Sequence, residues 1–209
     1  MKKIIMMLLA LVMITPVVYA DSSKTLKKEL EKEYKKKLKG YQKEKWNVVG
    51  SRTMEVALLK HYEKLNDANE DAQEIVGMSR TKTKNNGYQA ASNNAMISYA
   101  SQAGSALKGR AMTDLFADGA NTEAEFDHFF SAYERLVEKE IRGEMQESFA
   151  LMRTLPDGTY EFEVFYVVSE SKAAKARQRA LENAMKDSEV AQKYAKELSG
   201  YVNESFPQM

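Results

Sequence analysis

MQESFALMRTLPDGTYEFEVFYVV, residues 145–168, is the stretch that decides the fold. At its centre stand Pro156, Asp157 and Gly158. Proline presets the first dihedral of a turn and glycine accepts a positive φ, so the two flanking runs are expected to fold back on each other. In the second run Tyr160, Phe162, Val164, Tyr166 and Val168 alternate with Glu161 and Glu163. Such a period of two marks a strand with one face buried and the first half of the other face wet. An antiparallel hairpin therefore anchors the fold.

Upstream, WNVVGS (46–51) and AQEIVGMSR (72–80) are candidate short strands, with Gly77 marking a bulge or a close approach of backbone. Between them RTMEVALLKHYEKLNDA predicts a helix whose apolar side holds Val56, Leu59, Tyr62 or Glu63, and Leu65. NNG at 85–87 is expected to break the chain, and from Gly87 to about Asp118 the pattern is helical and made largely of small side chains. Ala91, Ala95, Ser98 and Ala106 fall on one side; Ile97, Ala100, Gly104, Leu107, Ala111 and Leu115 fall on the adjoining side. Two faces without bulk fit close approach to a sheet on one side and to a helix on the other. Glycine inside a helix costs on the order of 1 kcal/mol relative to alanine, so Gly104 and Gly109 point to tight contact or a bend. Thr122 and Glu125 form a capping-box signature before a helix striped with Phe126, Phe129, Phe130, Tyr133, Leu136, Val137 and Ile141. This bulky stripe is expected to pair with the small-residue helix as a helical hairpin.

The closing segment, from Ser169 onward, reads as one long helix or two broken ones, with Ala174, Leu181, Ala184, Ala191, Ala195, Leu198 and Val202 along one side. The fragment N-A-M recurs at Asn94–Met96 and Asn183–Met185, each on an alanine-rich helix after a strand, which hints at a pseudo-repeat. Together these segments predict an α+β domain over 46–209. Its small four-stranded sheet is at least partly antiparallel and packed by long alanine-rich helices.

The amino terminus is of another kind. MKKIIMMLLALVMITPVVYA (1–20) has a basic start, an apolar run interrupted by Pro16, and small residues at Val18 and Ala20, the pattern of a signal peptide cleaved before Asp21. No later stretch approaches the ~20 apolar residues of a membrane span. The chain has no cysteine, which rules out disulfides, thiolate metal sites, a cysteine nucleophile and a lipidated cysteine. Residues 24–45 hold ten lysines against four glutamates, a local charge of +6, while 46–209 carry 19 basic against 25 acidic residues, a charge of −6. Leu26, Leu30, Tyr34, Leu38 and Tyr41 recur at helical spacing through the basic stretch, so 21–45 is expected to be a basic amphipathic helical arm. Its lysines Lys35, Lys36, Lys37 and Lys39 are the candidate binding residues, for an anionic envelope surface or a protein partner. A coiled-coil role in homo-oligomerisation is a further reading of the same stripe.

Catalytic residue types are sparse. His61 in LKHYEKL and His128 in FDHFF belong to neither a zinc-protease pair nor a nucleophile elbow. His61 is expected to be a partly buried structural residue. Asp127 beside His128 offers an orienting carboxylate, but adjacent helical residues point about 100° apart. DANED places Asp67, Asn69 and Asp71 at alternate positions, yet the EF-hand reading fails at Ala72 and Met78. Glu161 and Glu163 share a strand side, which reads as a wet face. Lys172, Lys175, Arg177 and Arg179 open the closing helix and are expected to form a solvated basic turn; without interleaved aromatics they do not signal nucleic acid. No phosphate-binding glycine loop occurs and no cofactor is expected.

EIVGMSR leading into YQAASNNAMISYASQAGSALKGR, and YEFEVFYVV leading into KAAKARQRALENA, resemble the LPP-twenty type of bacterial envelope lipoprotein and the related amino-terminal domain of a flagellar assembly protein. The resemblance spans residues 72–186 and leaves the arm uncovered. It implies a small α+β domain working at the bacterial envelope, with no catalytic constellation to carry over. That family is typically lipidated, and this chain lacks the cysteine. The expected function is an exported, non-enzymatic envelope or periplasmic interaction protein; the alternative is a hydrolase of an envelope polymer, which requires a cleft gathering carboxylates with His128.

Overall fold

The computed structural model describes residues 17–66, 71–115 and 123–203. Most of the expected signal segment (1–16), the acidic loop 67–70 and the Thr122 cap lie outside the described residues. The chain divides into two units, Met1–Glu44 and Lys45–Met209. Within the first, α1 (Val17–Lys43) is an unbroken helix.

The second unit is built on the expected hairpin. β3 (Gln146–Thr154) and β4 (Tyr160–Ser169) pair antiparallel from Thr154↔Tyr160 upward. Gly158 takes φ +79, and the turn closes through Leu155 N–H to the Thr159 carbonyl at 2.8 Å. β2 (Ala72–Thr81) pairs antiparallel along the whole of β4, and the two-residue β1 (Asn47–Val48) lies outside β3. The result is a four-stranded, wholly antiparallel sheet in the order β1-β3-β4-β2.

Two cores lie on the two faces of this sheet. Tyr160, Phe162, Val164, Tyr166 and Val168 share a face with Ile75 and Gly77 of β2, as the pairing Gly77↔Val164 and the strand period require. That face is covered by α3 (Lys84–Asp114), against which α4 (Glu123–Ile141) and α5 (Glu170–Met185) build the main core. The small side chains of α3 do what their spacing implied. A Cβ placed on Gly77 would lie 2.6 Å from the Ala95 nitrogen and 2.8 Å from its Cβ, and closer still to the Ala91 carbonyl oxygen. On its other side α3 meets α4, where a Cβ on Gly104 would lie 3.2 Å from the Cβ of Glu134. The two helices run antiparallel: Lys108 bonds Asp127 at 2.5 Å near one end and Arg142 bonds Asn93 at 3.3 Å near the other.

The opposite face holds a smaller core under α2 (Met54–Leu65), whose N-terminus is capped by Thr53. The rings of Phe149 and Phe165 stack there at 4.3 Å, beneath Ala57, Leu58 and His61. Toward the hairpin end the same face turns polar, with Arg153 bonding Glu161 at 2.6 Å and lying 4.5 Å over the ring of buried Trp46.

Several expectations are corrected. In α2 the buried side is Ala57, Leu58 and His61, while Val56 and Leu59 are 43% and 53% exposed. Apolar residues occur on both sides of this helix, so periodicity alone does not choose between them. NNG does not break the chain: it lies in the first turns of α3, where Gly87 admits the ring of Phe162. Ile97 (47% exposed) and Ser98 face solvent, and Gly109 has nothing near it. The closing segment forms three helices, α5, α6 (Glu189–Lys193) and α7 (Ala195–Asn203), with Ser188 capping α6 through its hydroxyl. Their buried side runs through Ala173, Ala176, Ala180, Leu181 and Ala184; Ala174 and Ala195 are half-buried.

Candidate functional site

The four lysines singled out from the sequence lie on α1, and the helix separates them. Leu30, Tyr34, Leu38 and Tyr41 are half-buried and form one side. At helical spacing Lys28, Lys32, Lys35, Lys36, Lys39 and Lys43 come together on the opposite, exposed side. Lys37 is different: it belongs beside the apolar stripe, is half-buried, and reaches Glu33 at 3.8 Å. Lys35 pairs with Glu31 and Lys32 with Glu29, both at 2.6 Å, and Lys36 and Lys39 have no ion pair among the described residues. The paired side chains are more than 60% exposed. Ion pairs that open to water are worth ~0.3–0.5 kcal/mol, too little to withhold a lysine from a stronger anion.

The sequence-derived chemical candidates do not converge. His61 is 1% exposed; its Nε2 bonds Glu74, its ring meets Phe149 and Phe165 edge-on, and its Nδ1 has no partner among the described residues. It is buried more fully than expected. His128 is exposed, and the neighbouring Asp127 bonds Lys108. Of the two glutamates on β4, Glu161 is taken up by Arg153. Among the described residues no group of three metal-binding side chains occurs. A cavity of about 150 Å³ bordered by Lys64, Gln146, Ser169 and Lys172 is well below the ~300 Å³ at which ligand pockets begin.

The basic turn of α5 is corrected most sharply. Arg177 is not solvated: it is 0% exposed, the largest fully buried side chain among the described residues. Its guanidinium donates to the Glu170 carboxylate, to the Tyr99 hydroxyl at 2.7 Å and to the Val202 carbonyl at 3.3 Å. Gln73 of β2 donates to the same carboxylate at 2.6 Å. Burial alone would pull the arginine's pKa down, and the bonds to Glu170 and Tyr99 outweigh it, so the group is held above its ordinary range. The buried charge is thus balanced by a carboxylate two turns earlier on the same helix, and its remaining bonds go to α3 and α7, the condition under which an interior arginine is tolerated. Arg179 also has partners, Glu140 at 2.6 Å and Glu144 at 2.8 Å, which raise its pKa and fasten α5 to the end of α4. Both arginines serve to join elements of the fold.

Among the described residues no helix is long and apolar enough to cross a membrane. Among the described residues the densest exposed cluster of like charge named from the sequence is the lysine face of α1. No family model, no curated protein and no solved structure matches this chain.

Proposed function

We propose that this protein is an exported, non-enzymatic binding protein of the bacterial envelope or periplasm, and that the lysine face of α1 takes hold of an anionic surface. One observation carries the reading: lysines gather on one exposed side of a helix whose other side is an apolar stripe. A helix with lysines on its polar face and Leu and Tyr on the other is the form of an interfacial amphipathic helix. The signal-like residues 1–20 and the resemblance to an envelope family support the location.

The strength of such binding follows from charge. A lysine close to an anionic lipid surface contributes ~1 kcal/mol, so Lys35, Lys36 and Lys39 together are worth ~3 kcal/mol, or ~100-fold in affinity at low salt. The test is co-sedimentation of the chain beginning at Asp21 with vesicles containing one-third phosphatidylglycerol, at about 20 mM and about 500 mM salt. Binding at low salt, release at high salt, and ~100-fold weakening in the variant with Lys35, Lys36 and Lys39 changed to Gln are expected. Lys37→Gln, placed beside the stripe, changes affinity less. Absence of low-salt binding, or equal binding by the triple variant, overturns the reading.

A further inference from the structure

The last described helix, α7, is attached through two core side chains, Leu198 and Val202, with Tyr201 packed beside them, and through a set of polar bonds. It packs chiefly on α5 and α3, and of its side chains only Leu198 and Val202 are buried. The rest of its attachment gathers on its last carbonyls. Arg177 of α5 donates to the Val202 carbonyl at 3.3 Å, and Arg110 of α3 to that of Tyr201 at 3.4 Å. Gln178 donates to the Ser199 carbonyl at 3.1 Å and to the Asn203 side chain at 2.6 Å. Cations on these carbonyls also meet the negative end of the helix dipole.

Two features make this attachment separable from the rest of the fold. First, the charge of Arg177 is balanced by Glu170 and Tyr99, both outside α7. If α7 leaves, Arg177 loses one carbonyl and keeps its counter-ion, so no buried charge is orphaned. Second, the chain just before α7 has its own anchor. Tyr194 ends α6 with its N–H on the Ala191 carbonyl, its ring lies 6.0 Å from Phe126 of α4, and Ala191 is fully buried.

We propose that α7 is a hinged strap: Ala195–Asn203 swings off α3 and α5 about Tyr194 as one unit while the sheet, α5 and α6 stay folded. Opening uncovers the parts of α3 and α5 that Leu198 and Val202 occupy, together with the inner edge of Arg177. Closing restores a clasp of three side chains from two helices. Because opening exposes Leu198, Val202 and Tyr201 but leaves the sheet core covered, the process depends less on denaturant than global unfolding does.

Hydrogen exchange of the full chain, read by mass spectrometry over a series of sub-denaturing urea concentrations, tests this. Amides of 195–203 are expected to exchange at least a hundredfold faster than the slowest amides of β4, with a smaller urea dependence. Gln178→Ala, which removes two bonds to the strap, speeds exchange of 195–203 by roughly three- to tenfold and leaves β2 and β4 unchanged. Exchange of 195–203 at the rate and urea dependence of β4 means α7 opens only with the whole domain and overturns the hinge. Fast exchange indifferent to Gln178→Ala shows that the clasp does not hold α7 and overturns the strap as described.

Discussion

Replacing Gly77 by alanine adds one methyl group at the point where strand and helix are closest. That methyl would lie 2.6 Å from the Ala95 nitrogen and 2.8 Å from the Ala95 Cβ, and nearest of all to the Ala91 carbonyl oxygen. Two of these three atoms are backbone, so no rotamer change relieves the contact. The helix itself must retreat from the sheet, and α4 stands behind it at Gly104, where a methyl would already have only 3.2 Å. Overpacking of this kind costs ~1–3 kcal/mol when side chains can adjust, and here they cannot, so a loss of about 3 kcal/mol or more is expected. At ~2–4 °C per kcal/mol for a domain of this size, Tm falls by roughly 6–12 °C. Urea titration followed by far-ultraviolet circular dichroism reads the change directly. Gly109→Ala is the matched control, because nothing lies within 4 Å of that site, and alanine should raise stability by up to ~1 kcal/mol through helix propensity. A Gly77→Ala protein within ~0.5 kcal/mol of the parent would refute the close-packing argument, as would the two substitutions moving stability the same way.

Two more predictions concern polar groups. The Tyr133 hydroxyl is fully buried with no partner among the described residues, and burial pushes its pKa well above the usual phenol range. Tyr133→Phe should therefore leave stability unchanged or raise it by about 1 kcal/mol, and a loss of more than ~1 kcal/mol would show the hydroxyl to be bonded. At the hairpin tip, bonds from Thr159 and Arg80 hold the Asp157 carboxyl at about 2, below its ordinary value of 3.8. Since the folded pKa is the lower one, this group's contribution to stability is present above the unfolded value and is lost as pH falls through about 2. Carboxyl NMR titration should give a midpoint near 2 for Asp157, and a midpoint of about 4 would sink the assignment.

How far the sequence carries depends on whether a signal is local. The hairpin was legible because Pro156, Asp157 and Gly158 fix a turn whose flanks alternate, and nothing distant is needed to see it. The two-sided packing of α3 was legible because alanine and glycine at helical spacing leave no bulk on either face to hold a neighbour away. In α2, by contrast, Leu58 and Leu59 are neighbours and only the sheet decides which goes in. Arg177 is the deepest miss. Its counter-ion Glu170 lies two turns upstream on the same helix face, a local hint, but Tyr99 and the Val202 carbonyl come from distant elements that no spacing reveals. The lysine face of α1 could be read in outline, except that Lys37 turns toward the stripe.

The strand order sets a schedule for the living chain. β2 is made early, yet it pairs only with β4, and α3, α4 and β3 must all be synthesised before that partner exists. Until then β2 has no strand beside it, and the small-residue face of α3 has no sheet to rest on. The β2–β4 pairing closes a long loop, so it is expected to form more slowly than the local β3–β4 turn, although β2 can already meet the neighbouring α3. A nascent chain stalled before residue 160 would hold β2 without its partner strand. The β3–β4 hairpin is therefore the local element that has to be in place before β2 can join the sheet.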